Sequence, residues 1–272
     1  MLKTDPIGIF DSGVGGLTVV KSLVDKMPEE NLVYFGDTAH IPYGEKTREQ
    51  LLTYAEEIME FMLARGCKAV VVACGTHSSV TLPAIINNYR LPLLGVVEVA
   101  ARQAAAATRN GRIGVAATQA TVNSQAFTRS INNLEEEIEV LEIACPRLVP
   151  LVEAGQLTGK ELERAIKEYF DPLLAWQADT VILGCTHYPF AAPAIKRYTG
   201  DRMNLIDTAD ATINELKKIL AGRDLVNDSG QTPRRRFYVS GEDTSFYKVG
   251  RILMGDIIDK VEKIDISKKM EQ

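Results

Sequence analysis

Short apolar runs alternate with longer stretches whose apolar residues recur every three or four positions, and the alternation continues along most of the chain. The runs at 7–10, 32–35, 69–72 and 93–96 have strand length and little polar alternation, as expected of strands buried on both faces. Between them the spacing predicts helices at about 16–27, 47–65 and 78–88; in the second, Leu51, Leu52, Ala55, Ile58, Met59 and Met62 fall on one face. The rhythm restarts near residue 97, with a helix at 99–108, a strand at 112–116, a helix at 122–132, a strand at 138–143, a helix at 159–177 and a strand at 180–183. A helix at about 209–221, a polar loop, a strand at 237–240 and a helix at 245–255 complete the pattern, and residues 264–272 are expected to fray. Such strand–helix alternation predicts an α/β fold of mainly parallel sheets with helices on both faces.

Two parts of this pattern correspond. Ile7-Gly8-Ile9 and Ile113-Gly114-Val115 open the two halves, 106 positions apart. Later in each half an apolar run ends in a cysteine beside a threonine and a histidine, Ala73-Cys74-Gly75-Thr76-His77 and Gly184-Cys185-Thr186-His187, and these cysteines are 111 positions apart. The near-equal offsets read as an internal structural repeat. The segment after Asp207 is too short for a domain and is expected to pack back on the first half. Residues 1–97 with 208–272 are therefore expected to form one discontinuous α/β domain, and 98–207 a second.

Composition narrows the function classes. The 272 residues are 46% apolar and 25% charged, with a net charge of −5 and well-mixed signs, so no electrostatic footprint for nucleic acid is present and no nucleic-acid partner is expected. The one basic cluster, Arg234-Arg235-Arg236, reads as a solvated turn before the strand at 237. No run approaches the ~20 apolar residues that span a bilayer, and no secretory pattern opens the chain, so a cytoplasmic protein without membrane contact is expected. Four cysteines (Cys67, Cys74, Cys145, Cys185) do not make a disulfide framework at this length.

The candidate chemistry lies at the strand ends. Asp11-Ser12-Gly13-Val14-Gly15-Gly16 lets backbone pass close to a ligand, but Thr18 stands where the third glycine of a dinucleotide fingerprint belongs and no P-loop lysine follows. Asp11 is then either the N-cap of the next helix or a carboxylate held at a strand tip. The loop Asp37-Thr38-Ala39-His40-Ile41-Pro42-Tyr43-Gly44 is either a stiff connector or a wall of a pocket. For the cysteines, burial in a core competes with function, but repetition of the arrangement argues against chance. A zinc site from Cys74, His77, Cys185 and His187 is awkward at this spacing, and a protease-like Cys/His pair does not require two equivalent thiols. Two facing thiols suit proton traffic at a carbon centre, one thiolate removing a proton and the opposite thiol returning one to the other face. Each thiol then needs an orienting or charged neighbour, and Asp11 near Cys74 and His187 beside Cys185 fit. The hydroxyls of Thr76, Thr118, Thr121 and Thr186 can hold carboxylate oxygens without adding charge. Such chemistry is racemisation.

The stretches Gly8-Ile9-Phe10-Asp11-Ser12-Gly13-Val14-Gly15-Gly16-Leu17, Asp37-Thr38 with Pro42-Tyr43-Gly44, and Gly184-Cys185-Thr186-His187-Tyr188-Pro189 resemble the signatures of bacterial glutamate racemases, from the first strand to about residue 210. The resemblance implies two pseudosymmetric α/β domains with the active site in the interdomain cleft, often a homodimer, and interconversion of L- and D-glutamate without a cofactor or metal, supplying D-glutamate for peptidoglycan. It implies that Cys74 is the base for D-glutamate, assisted by Asp11, and Cys185 the base for L-glutamate, assisted by His187, with Glu153 near the second thiol and Asp37 in a matching loop. Substrate contacts are implied for Asp11, Ser12, Pro42, Tyr43, Gly44, Gly75, Thr76, Thr118, Thr121, Cys185 and Thr186. Racemisation of aspartate or another amino acid, and non-catalytic binding of an amino acid, are the alternatives. One departure stands out: the commonest family motif is Cys-Asn-Thr-Ala, whereas this chain has Cys74-Gly75-Thr76-His77. Gly75 can still offer its N–H, and His77 either supports the site from behind or faces a helix interface. The chain lacks the N-terminal extension of forms activated by a cell-wall precursor, so no such dependence is expected.

Overall fold

The structure, a computed structural model, describes residues 1–43 and 46–266, except for the side chains of Asp243 and Ser245. The first half runs β1 (Ile7–Asp11), α1 (Leu17–Lys26), β2 (Leu32–Gly36), α2 (Arg48–Ala64), β3 (Ala69–Val72), α3 (Gly75–Val80), α4 (Leu82–Ile85) and β4 (Leu93–Gly95). It continues through α5 (Val96–Ala107), β5 (Arg112–Ala117), α6 (Gln119–Ser124), α7 (Ala126–Asn132), β6 (Glu139–Ala144), α8 (Leu148–Glu153), α9 (Lys160–Ala175), β7 (Thr180–Leu183), α10 (Tyr188–Thr199) and β8 (Asn204–Asp207). The chain closes with α11 (Thr208–Gly222), β9 (Arg235–Val239), α12 (Asp243–Met254) and β10 (Val261–Lys263).

The strands form two sheets, in the orders β10-β9-β2-β1-β3-β4 and β6-β5-β7-β8, and every described pairing is parallel. The order β2-β1-β3-β4 is repeated by β6-β5-β7-β8. The registers repeat too: Ile7 lies opposite Ala69, and Ile113 opposite Thr180. The cysteines therefore follow equivalent strands at equivalent positions, and in each sheet they lie at the carboxyl end, where open α/β sheets carry their ligands. β1, β2, β3 and β7 are buried along their whole length, as their unbroken apolar runs require. α1, α11 and α12 cover one face of the larger sheet and α2 the other. α9 and α10 cover one face of the smaller sheet, and α5 and α7 the other. At the amino end of the larger sheet, Lys68 and Glu30 form a fully buried ion pair of 2.6 Å, and the ammonium also donates to the carbonyls of Leu225 (2.8 Å) and Lys3. This ties the amino terminus and the 223–227 loop to the sheet.

Several elements differ from the pattern reading, each for a local reason. The helix expected at 78–88 starts at Gly75 and breaks after Val80, because Pro83 brings no N–H and its ring crowds the preceding turn. The helix expected at 122–132 divides at Gln125, which takes a left-handed conformation (φ 50°). α8 and α10 were hidden by their prolines: Pro150 and Pro189 sit in first turns, where a missing N–H costs nothing. The strand expected at 237 begins at Arg235, so the arginine cluster enters the sheet rather than forming a free turn. The fraying expected from 264 does not hold for Ile264 and Ile266, which are partly buried against the apolar cluster on the α2 face of the sheet; 267–272 lie outside the described residues.

Candidate active site

Two strand ends of each sheet converge on a cavity of about 330 Å³, lined among others by Ser12, Pro42, Tyr43, Cys74, Gly75, Thr76, Thr118, Thr121, Glu153, Cys185, Thr186 and His187. The sequence places all of these at the site; Gly44, expected beside Tyr43, lies outside the described residues. Cys74 follows β3 and caps α3, so the backbone N–H groups of His77 and Thr76 point at its sulfur. Burial pushes its thiol up to about 12, the Asp11 charge and the facing Cys185 add to this, and the two N–H groups oppose it. Ser12 Oγ lies 4.0 Å from the sulfur.

Cys185 has a different environment. Its sulfur lies 3.6 Å from His187 Nδ1, and His187 Nε2 lies 3.2 Å from Glu153 Oε1 at the end of α8. Burial drives the imidazolium down, but the hydrogen bonds to Cys185 and Glu153, with the charges of Cys185 and Asp11, outweigh it and carry His187 up to about 10. An imidazolium donates from both nitrogens, so a thiolate on one side and a carboxylate on the other satisfy it completely.

Asp11 joins the two halves. It is fully buried, accepts the Gly13 N–H at 3.0 Å and, from the other half, the Thr186 hydroxyl at 3.2 Å. Burial raises its carboxyl, while the His187 charge, the N–H groups of Gly13 and Gly16 and the Thr186 hydroxyl hold it down. It is not the N-cap of α1, a position held by Gly16. Gly15 must be glycine for this seam to close: a Cβ there falls 2.4 Å from both His187 Nδ1 and Thr186 Oγ1. Gly75 is equally constrained, since its Cβ would lie 2.6 Å from the Gly184 carbonyl oxygen. In this arrangement a side chain at position 75 requires the two cysteine loops to separate, a steric reason for glycine where asparagine is usual.

Residues 8–216 match the family model described as Asp/Glu/Hydantoin racemase. A glutamate racemase of Carboxydothermus hydrogenoformans is 42% identical over 96% of this chain and 96% of its own length. The chain belongs to the glutamate racemase family. The fold agrees: a glutamate racemase of Bacillus anthracis superposes with a TM-score of 0.93 at 34% identity, over 98% of this chain and 100% of that one. A glutamate racemase of Francisella tularensis solved with D-glutamate gives 0.91 at 32% identity, over 98% and 100%.

Within this glutamate racemase fold, four residues around the cavity take places that spacing alone leaves open. Asp37 does not line the cavity; it accepts the Tyr43 hydroxyl at 2.6 Å and the Ser240 hydroxyl at 2.7 Å, and contacts His40 Nδ1 at 2.8 Å, so it buttresses the wall that Tyr43 presents. Val149 and Pro150 also line the cavity, presented by α8, a helix that the sequence pattern does not predict. His77 is turned away from the thiols, which removes it from any shared metal site with them. It packs edge-on to Phe10 and Tyr43, and its Nδ1 lies 3.0 Å from Thr81 Oγ1. The Thr81 hydroxyl donates to the His77 carbonyl, so Nδ1 carries the ring proton and Nε2 is a bare, unpartnered acceptor. The repeat explains the false similarity: counted from each cysteine, His77 corresponds to Tyr188, not to His187.

His77 also predicts an acid sensitivity. Burial lowers it to about 4, against a small opposing effect of Asp37. A histidine whose folded value lies below its unfolded one, 6.5, binds more protons when unfolded, so stability falls as pH falls through this window. The loss at pH 5 relative to pH 7 is about 2 kcal/mol from this group. Urea denaturation at the two pH values is expected to show that drop shrinking by about this amount in His77→Phe; an undiminished drop would exclude His77 as its source.

Proposed function

We propose that the chain interconverts L- and D-glutamate by proton transfer between two thiols, without a cofactor. The observation that supports this most is the pair of cysteines at equivalent register positions on two sheets, both lining one cavity, one of them joined to His187 and Glu153. Both enantiomers carry their Cα proton on opposite faces, so racemisation needs one base and one acid on opposite sides of the carbon.

In the L-to-D direction, Cys185 as thiolate, beside the His187 imidazolium, takes the Cα proton, and the C–H electron pair remains on the planarising carbon. The Cys74 thiol then gives its proton to the opposite face. The products are D-glutamate, a Cys185 thiol and a Cys74 thiolate, the form that accepts D-glutamate; exchange with solvent resets it. Asp11 and the N–H groups of Thr76 and His77 orient the Cys74 side. Ser12, Pro42, Tyr43, Thr76, Thr118, Thr121 and Thr186 supply hydroxyls, backbone and a stiff wall for the carboxylates and ammonium. An incoming ammonium also offsets the negative charge that Asp11 and a Cys74 thiolate bring together.

The division into 1–97 with 208–272 and 98–207, a homodimer, a cytoplasmic location and supply of D-glutamate for peptidoglycan belong to the same reading. Among the described residues no helix is long and apolar enough to cross a membrane. The test is circular dichroism of D-glutamate, L-glutamate and the aspartate enantiomers with purified protein and no added cofactor. Decay of the glutamate signal to zero from both sides is expected. An unchanged signal would favour a binding protein, and faster decay of aspartate would reassign the substrate.

A further inference from the structure

At the opposite end of the larger sheet from the thiols lies a second cavity, of about 220 Å³, lined by Thr4, Pro6, Asn31, Leu32, Val33, Arg65, Arg234 and Arg236. We propose that it binds a small phosphate-bearing anion, of the size of a diphosphate. Three arginines line it in a chain whose net charge is −5. Among the described residues no carboxylate lines the cavity or forms an ion pair with any of the three.

The strand pattern brings them together. Arg234 and Arg236 flank Arg235, so the alternation of β9 sends them to one face and Arg235 to the other, where its Nη2 is engaged by the Pro28 carbonyl at 3.1 Å. Arg65, just past α2, is held against two touching aromatic rings: its guanidinium carbon lies 4.8 Å from the Phe61 ring centre and 4.7 Å from that of Tyr238, and its Nη1 donates to the Tyr238 hydroxyl at 3.1 Å. One of its five donors is spent and the plane is held. Three like charges in one cavity repel, and an anion converts that repulsion into attraction. Guanidinium forks match phosphate oxygens two at a time, which favours phosphate over a spherical anion. The volume suits one or two phosphate groups and is too small to enclose a nucleic acid strand.

Isothermal titration of the whole protein at low salt tests this, with inorganic phosphate, diphosphate, a nucleoside diphosphate, sulfate and glutamate as separate titrants. One diphosphate per chain is expected, with a dissociation constant below about a millimolar, weakened at least about tenfold in Arg234→Ala/Arg236→Ala and in Arg65→Gln. Tighter binding of the nucleoside diphosphate than of diphosphate would assign the phosphates to a nucleotide; equal binding would assign them to the free anion. Absence of saturable binding, equal affinity for sulfate or glutamate, or variants that bind as wild type would each overturn the site. The double variant replaces exposed side chains and is expected to retain glutamate turnover, so this result and that of the racemase assay are read separately.

Discussion

Replacing Cys74 or Cys185 with alanine is expected to slow racemisation at least about a thousandfold in both directions, because the two-thiol mechanism we propose needs a proton carrier on each face of Cα. Loss in both directions is required even though each thiol is a base in only one of them. In either direction the second thiol must act as acid, and the equilibrium constant between enantiomers is one. The kcat/KM values for L- and D-glutamate must therefore fall together at every pH. Cys→Ser variants are expected to fare little better, since a hydroxyl in these buried positions is a far weaker proton donor and acceptor. The check is circular dichroism of both enantiomers, with uptake of solvent deuterium at Cα followed in parallel. Turnover within tenfold of wild type in either alanine variant would exclude the two-thiol mechanism.

His187→Gln is the second large effect, a fall in kcat/KM of about a hundredfold. The imidazolium, held up to about 10, is the positive charge against which a Cys185 thiolate sits, and it has both nitrogens engaged. Below that value the cation is retained; above it the cation is lost and with it the thiolate's counter-charge. Wild-type kcat/KM is thus expected to decline on the alkaline side near pH 10. In His187→Gln that decline disappears, because the amide carries no proton to lose there. Glu153 is 39% exposed at its side chain, so water screens it and Glu153→Gln is expected to cost only a few-fold. A pH profile of His187→Gln superimposable on wild type would mean that the histidine acts by packing alone.

The sequence reading succeeded where local pattern and tertiary role coincide. β1, β3, β5 and β7 are apolar through their middles because both faces are covered, so a polar or thiol side chain at or just past their carboxyl ends marks the seam between the sheets. That is how Asp11, Cys74, Thr118 and Cys185 were legible. It failed where prolines punctuate helices, as at α8 and α10, and where an edge strand carries charge. β10 is Val261-Glu262-Lys263, with both charged residues exposed, and nothing in it marks a strand. His77 and Asp37 show a subtler limit. Both neighbour site residues in sequence, but a helix turn and a loop direction send their side chains behind the wall, and neither direction is encoded in spacing alone.

The hydrogen bond from Thr186 to Asp11 has a consequence for how the protein tolerates change. Asp11, at the end of the strand beside the one that leads to Cys74, is held by the loop that carries Cys185, and Gly15 lets that loop press against α1. The two ends of the cleft are therefore one thermodynamic unit, and substitutions on opposite sides of it are not independent. Paired variants such as Asp11→Asn with Thr186→Val should depart from the sum of their single effects, as residues sharing one network do. On that expectation, the seam of a duplicated architecture carries an epistasis that neither half alone contains.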